Sequence, residues 1–259
     1  MKRFSLMTVA MMFVCVSVGI AAPSSFSVKE KIASKIWMNE CAQSVKGLVS
    51  WNAGEGFPSL GIGHFIWYPA GERGRFEESF PELMRFAKVR GITVPSWAKG
   101  GAPWRTRHEF IAADRKGGLA DVMRAWLRDN TAIQTDFIIA RSVAALKRMQ
   151  DKSRNSQALG RKYYAVASSP QGMYALIDYV NFKGEGINEE ERYCGQGWGL
   201  MQVLEEMGEV SAGVGAAREF SEASKRVLKR RVANSPQGRG ESRWLAGWLN
   251  RCATYARPL

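Results

Sequence analysis

Residues 39–68 read N-E-C-A-Q-S-V-K-G-L-V-S-W-N-A-G-E-G-F-P-S-L-G-I-G-H-F-I-W-Y, and the rest of the chain takes its sense from them. The stretch joins the end of an amphipathic helix to a glycine-rich segment. Upstream, Ile32, Ile36 and Glu40 recur at i, i+4 and i+8, which places them on one face of a helix predicted over 28–41. A carboxylate therefore ends an otherwise apolar stripe, at the edge of a core where a cleft can open. Downstream, Leu48-Val49-Ser50-Trp51 reads as a short extended run. Asn52-Ala53-Gly54-Glu55-Gly56 carries turn chemistry. In residues 59–68 glycine alternates with apolar residues, which predicts one returning strand with one face bare of side chains. The expectation is a small β-hairpin directly after the first helix.

Outward from this stretch the pattern is helical. Helices are expected over 80–90, 105–114, 119–129, 131–150, 172–182, 198–207, 215–233 and 241–256, with a polar loop over 181–193. No internal repeat, low-complexity segment or long linker divides the chain. The fold class is α+β, predominantly α-helical, with residues 22–259 forming one domain.

The N-terminus sets the compartment. Lys2 and Arg3 precede a nearly uncharged apolar run over 6–20, followed by small residues, which is a secretory signal pattern over 1–21. The run is short for a membrane span. The expected protein is secreted or periplasmic, with no integral membrane segment after cleavage, and a monomer. Removal of Lys2 and Arg3 lowers the net charge from +13 to about +11. Such a surface attracts polyanions. The basic run Lys225, Arg226, Lys229, Arg230, Arg231 is most simply a solvated helix face; its functional reading is attraction to an anionic cell wall, and with no nucleic-acid motif and an exported chain nucleic acid is not expected as a partner. Cys41, Cys194 and Cys252 remain after cleavage, an odd number that leaves at least one thiol unpaired. With two histidines, His64 and His108, and no C-x-x-C pair, no metal or cofactor is expected.

Glycoside cleavage requires an acid to protonate the departing oxygen, and usually a second carboxylate or a held water across the sugar. Glu40, on a semi-apolar helix end, suits the acid. Glu55, in the hairpin turn, suits the second carboxylate, and glycines let backbone approach a sugar closely. Trp51, Asn52, His64, Tyr68, Glu185, Trp198 and Gln202 are candidate substrate contacts. For any single aromatic among them, and for Trp67, a place in the core is the simpler reading. Asp178, Lys183 and Glu185 belong to a segment that forms either an opposite cleft wall or an ordinary helix exit.

Ser59-Leu60-Gly61-Ile62-Gly63-His64 resembles the [Thr/Ser]-[Ile/Leu]-Gly-Ile-Gly-His strand of phage-type lysozymes. In that family a catalytic Glu ends the first helix, and the hairpin bears an Asp and a Thr. The resemblance implies a lysozyme-like fold, Glu40 as catalytic acid and Ser59 at the Thr position. The family's Asp falls nearer Ala53, and the interval from Glu40 to Ser59 is longer than the family's, so Glu55 takes the second role by its chemistry rather than by alignment. The order Glu40, then Gly47-Leu48-Val49-Ser50-Trp51, then an acidic hairpin also resembles chitosanases of the same superfamily. Residues 197–203, G-W-G-L-M-Q-V, resemble the Gly-Leu-Met-Gln stretch of lytic transglycosylases, without the Glu-Ser-x-Gly motif that precedes it there. The resemblance covers about thirty of 259 residues.

Together these readings imply a lysozyme-like glycosidase cleaving β-1,4 linkages of peptidoglycan or a related amino-sugar polymer. The alternatives are a lytic transglycosylase with one glutamate and a non-catalytic glycan-binding protein on the same scaffold.

Overall fold

The computed structural model describes residues 27–74 and 76–259; the leader expected over 1–21 lies outside them. The first helix, α1 (Val28–Cys41), begins with a reciprocal cap. Ser27 Oγ accepts from the Glu30 amide at 3.3 Å, and Glu30 Oε2 accepts from the Ser27 amide at 2.7 Å. Its apolar stripe is buried at Ile32 and Ile36. The helix stops at Ala42 and Gln43, both left-handed, with φ of 50° and 55°.

A three-stranded antiparallel sheet follows: β1 (Val49–Ser50), β2 (Ser59–Leu60) and β3 (Phe65–Ile66), in that order. The register pairs Ser50 with Ser59 and Ser59 with Ile66. The single returning strand expected over 59–68 is thus two strands, separated by a turn at residues 61–64. Gly61 adopts φ +72° there, and a Cβ on it would lie 2.2 Å from Gln134 Oε1. That oxygen accepts from the Ile62 amide at 2.9 Å. The glycine pattern therefore marks a buried turn clamped by a distant helix, not a bare strand face.

The helices continue with α2 (Phe80–Val89), α3 (Arg107–Asp114), α4 (Leu119–Asp129), α5 (Thr131–Lys152), α6 (Ser156–Ala167), α7 (Pro170–Lys183), α8 (Leu200–Glu206), α9 (Val214–Asn234) and α10 (Ser242–Ala253). The class is α+β and mainly helical. Two expectations change. Helix α7 starts at Pro170, where proline's missing N–H costs nothing, and the Ser169 hydroxyl accepts from the Gly172 amide at 3.2 Å. Helix α6 was not expected. It is capped by Asn155, whose side chain accepts from the Ala158 amide at 3.0 Å, and it buries Leu159, Tyr163 and Val166 on one stripe.

Helix α7 packs on α1, α5, α6, α8 and α9. Tyr174, Ala175, Leu176, Ile177, Asp178 and Tyr179 are all buried, so the helix is covered all round rather than on one side. One buried cluster extends from Ile32 through Trp67, Phe80 and Tyr179 to Tyr255. Each large side chain buried this fully contributes roughly 1.5–3 kcal/mol. Two long-range clamps fix the small sheet against this core. Arg124, on α4, donates to the carbonyls of Lys46 (3.2 Å) and Val49 (3.0 Å) and is paired with Asp114 at 2.6 Å. Gln134, on α5, holds the 61–64 turn and donates to the Leu127 carbonyl at 2.6 Å. No helix among the described residues is long and apolar enough to cross a membrane.

Candidate functional site

Glu40 occupies the last turn of α1, with a side chain 14% exposed. Its Oε1 accepts from Arg251 Nη2 at 2.6 Å and from Asn181 Nδ2 at 3.2 Å. Oε2 lies 3.6 Å from His64 Nδ1, at the end of the 61–64 turn. Arg251 comes from α10, Asn181 from the last turn of α7 and His64 from the sheet. Three separate parts of the chain thus converge on a carboxyl group carried by a fourth, α1.

Asp178 orients Arg251. It is fully buried and accepts from Arg251 Nε (2.8 Å), Arg251 Nη2 (2.8 Å), the Tyr255 hydroxyl (2.7 Å) and Asn39 Nδ2 (3.1 Å). These bonds meet the cost of burying the charge. Asp178 is saturated and sealed, whereas Glu40 keeps solvent-accessible surface and an oxygen outside the guanidinium fork. Asp178 is thus the anchor of Arg251, and Glu40 the partly exposed carboxyl of the network.

The backbone around Glu40 is strained. Ala42, Gln43 and His64 hold positive φ without being glycine, and among the described residues only Cys194 shares that condition. Such conformations cost about 1–3 kcal/mol each and persist where surrounding structure over-determines them. Here they turn the chain from α1 into the sheet and aim His64 back at Glu40.

Cys41, next in sequence, places Sγ 3.3 Å from His64 Nε2. Cys41, His64 and Glu40 stand in the order nucleophile, base, orienter. Their electrostatics oppose that use. Burial, reinforced by the Glu40 charge, pushes the Cys41 thiol up to about 12. Burial holds His64 below its ordinary value, against the pull of Glu40. A nucleophilic cysteine requires the opposite pair of shifts. Cys41, Cys194 and Cys252 are all unpaired.

The residues expected to form the site fall in three places. Glu40 and His64 meet. Trp51, Asn52 and Glu55 form a second group in the β1–β2 connection: Trp51 Nε1 donates to the Glu55 carbonyl at 2.7 Å. Burial raises the Glu55 carboxyl above its usual value, partly offset by Asn52, and its Oε2 is buried without a hydrogen-bond partner. No hydrogen bond or ion pair among the described residues joins Glu55 to Glu40. Ser59 is 4% exposed within β2, which leaves almost no surface for a substrate.

The third group lies between α7 and α8. Glu185 is ion-paired with Arg148, with Arg148 Nε 2.9 Å from Oε2. Gln202 clasps the loop, accepting from the Gly199 amide and donating to the Gly186 carbonyl, both at 3.0 Å. The aromatics Trp51, Trp67, Tyr68 and Trp198 are all buried in the core and present no open ring face. Sequence reasoning missed Arg251, Asn181 and Asn39.

An open groove of about 630 Å³ is lined by Met38, Asn39, Phe182, Gly247, Trp248, Asn250, Arg251, Thr254 and Arg257; Glu40 is not part of that lining. Asn39 and Arg251 are shared between the groove wall and the carboxylate network. The described residues contain no group of three or more His, Cys, Asp or Glu able to hold a metal ion. No family model, curated protein or solved structure matches the chain.

Proposed function

We propose that the protein is a lysozyme-like glycosidase that cleaves β-1,4 linkages in peptidoglycan or a related amino-sugar polymer, with Glu40 as general acid. The observation that carries this reading is the partly exposed Glu40 carboxyl, fixed by Asn181 and by Arg251, which also lines an open groove. Two donors occupy Oε1; Oε2, 3.6 Å from His64 Nδ1, is the oxygen to which this reading assigns the transferred proton. Oε2 delivers that proton to the glycosidic oxygen as the bond to the anomeric carbon breaks. Water then adds to the anomeric carbon and returns a proton to the carboxylate. Glu40→Gln keeps the shape and the bond from Arg251 but removes the acid. It should lower the release of soluble fragments from purified cell wall by roughly 10²–10⁴-fold with the fold intact. Undiminished release would end the assignment.

Glu55 favours a second reading. A charged partner across the sugar should keep its negative charge, yet burial pushes the Glu55 carboxyl up and nothing ties it to Glu40. Single-glutamate chemistry, as in a lytic transglycosylase, dispenses with it. The product masses separate the two: hydrolysis adds one water per cut, whereas transglycosylation leaves a 1,6-anhydro end and adds none.

A further inference from the structure

We propose that His64 is a positioning residue for Glu40, with a ring N–H at Nδ1 that closes onto Oε2 as the carboxyl group gives up its proton; this rests on the glycan-cleaving reading above. The series Cys41, His64, Glu40 then runs in the direction opposite to nucleophilic catalysis, with the thiol orienting the imidazole and the imidazole serving the carboxyl group. His64 ends the 61–64 turn. Its amide donates to the Gly61 carbonyl at 3.2 Å, and its backbone is left-handed, with φ of 49°. That conformation sets the ring between two adjacent residues of α1. Nε2 lies 3.3 Å from Cys41 Sγ, and Nδ1 lies 3.6 Å from Glu40 Oε2.

A neutral imidazole has one donor nitrogen and one acceptor, and the partners decide which is which. Burial holds the His64 ring below its ordinary value, with Glu40 of α1 opposing and Arg251 of α10 adding to the effect, so the ring is neutral at pH 7. The Cys41 thiol, pushed up to about 12 by burial, keeps its hydrogen and donates it to Nε2. The Gly47 carbonyl is the rival: it draws a proton to the ring and also lies 3.6 Å from Sγ. The Glu40 anion decides between them. With the ring proton on Nε2, the lone pair of Nδ1 would face a carboxylate oxygen and repel it. With the proton on Nδ1, an N–H faces that oxygen. Arg251 and Asn181 bond Oε1, which leaves His64 to answer the charge on Oε2. The 3.6 Å separation is longer than a formed hydrogen bond. Such bonds are roughly twice as strong to an ion as to a neutral group. The contact therefore tightens as charge develops, which lowers the barrier rather than the ground state.

The chain holds two histidines, His64 and the exposed His108, so the ring-nitrogen NMR signals of histidine-labelled full chain are assigned by comparison with His64→Asn. At pH 7 the parent should show His64 protonated at Nδ1. Release of soluble fragments from purified cell wall is then measured for two variants at equal folded fraction. Asn places an amide nitrogen near the Nδ1 position and tolerates left-handed backbone, whereas Gln places it near Nε2, away from Glu40. His64→Gln should lower release by about 10–100-fold, the effect of losing one hydrogen bond to a charged group, and His64→Asn should retain most of the parent rate. An Nε2-protonated ring in the parent, or equal rates in the two variants, overturns the role of His64 and leaves the glycan-cleaving reading intact, since Glu40→Gln tests that reading separately. No release by the parent overturns both.

Discussion

Glu40 and Glu55 carry the same functional group in opposed surroundings. Glu40 shares a guanidinium and an amide, whereas Glu55 is half-buried with one oxygen unanswered. Burial raises the Glu55 carboxyl above the usual 4.5, so the native state binds this proton more tightly than the unfolded chain does. The stability it contributes is fully present below about 4.5 and is lost as pH rises through the native value. Glutamine cannot ionise, so Glu55→Gln should melt above the parent at pH 7, with the gap closing as the pH falls to 4 and below. Melting temperatures of both proteins from pH 3 to 8 check this. A gap that widens toward low pH would show that Glu55 is stabilised as the anion, which would restore it as a charged partner across the sugar.

Among the elements, α1 and the 61–64 turn differ in how much the sequence discloses. Helix α1 is written locally: Ser27 and Glu30 cap it, and Ile32 and Ile36 face the core, so its bounds of 28–41 follow from adjacent residues. The turn depends on Gln134, which sits 72 residues beyond Ile62. Without that clamp in view, alternating glycine reads as one strand. Helix α6 escaped because Gly160 and flanking serines interrupt its stripe, and its partners are α5, α7 and α9. Two glycines separate backbone strain from clamp geometry. Gly54 and Gly61 both have positive φ, but a Cβ on Gly54 meets nothing within 4 Å, whereas one on Gly61 meets Gln134. Gly54→Ala should cost about 1 kcal/mol and Gly61→Ala about 2–4 kcal/mol, since the second adds a displaced buried hydrogen bond to the strain. Urea unfolding measures both. Equal costs would show that Gln134 yields freely and does not hold the turn.

Across the whole molecule, the Glu40–Arg251 contact joins residues 211 apart and brings the last long helix back onto the first. This is also why half the site was illegible. Glu40 and His64 lie in one short stretch, while Arg251 is one arginine among several in a basic C-terminal region, and nothing local marks it as paired to a buried acid. Asp178 marks it in the fold, binding α10 to α7 through both guanidinium nitrogens it touches. Removing one member of a buried pair strands the other, at a cost of about 3–5 kcal/mol, whereas replacing both with apolar groups of similar volume is often close to neutral. Asp178→Asn should therefore destabilise the protein by about 3–5 kcal/mol in chemical unfolding. Asp178→Leu combined with Arg251→Met should be less destabilised than Asp178→Asn alone. The double variant should nevertheless release fewer wall fragments than the parent, because Glu40 loses its 2.6 Å donor even where the fold recovers. A double variant restored in stability and undiminished in activity would reduce the network to scaffolding and leave Glu40 to work without it.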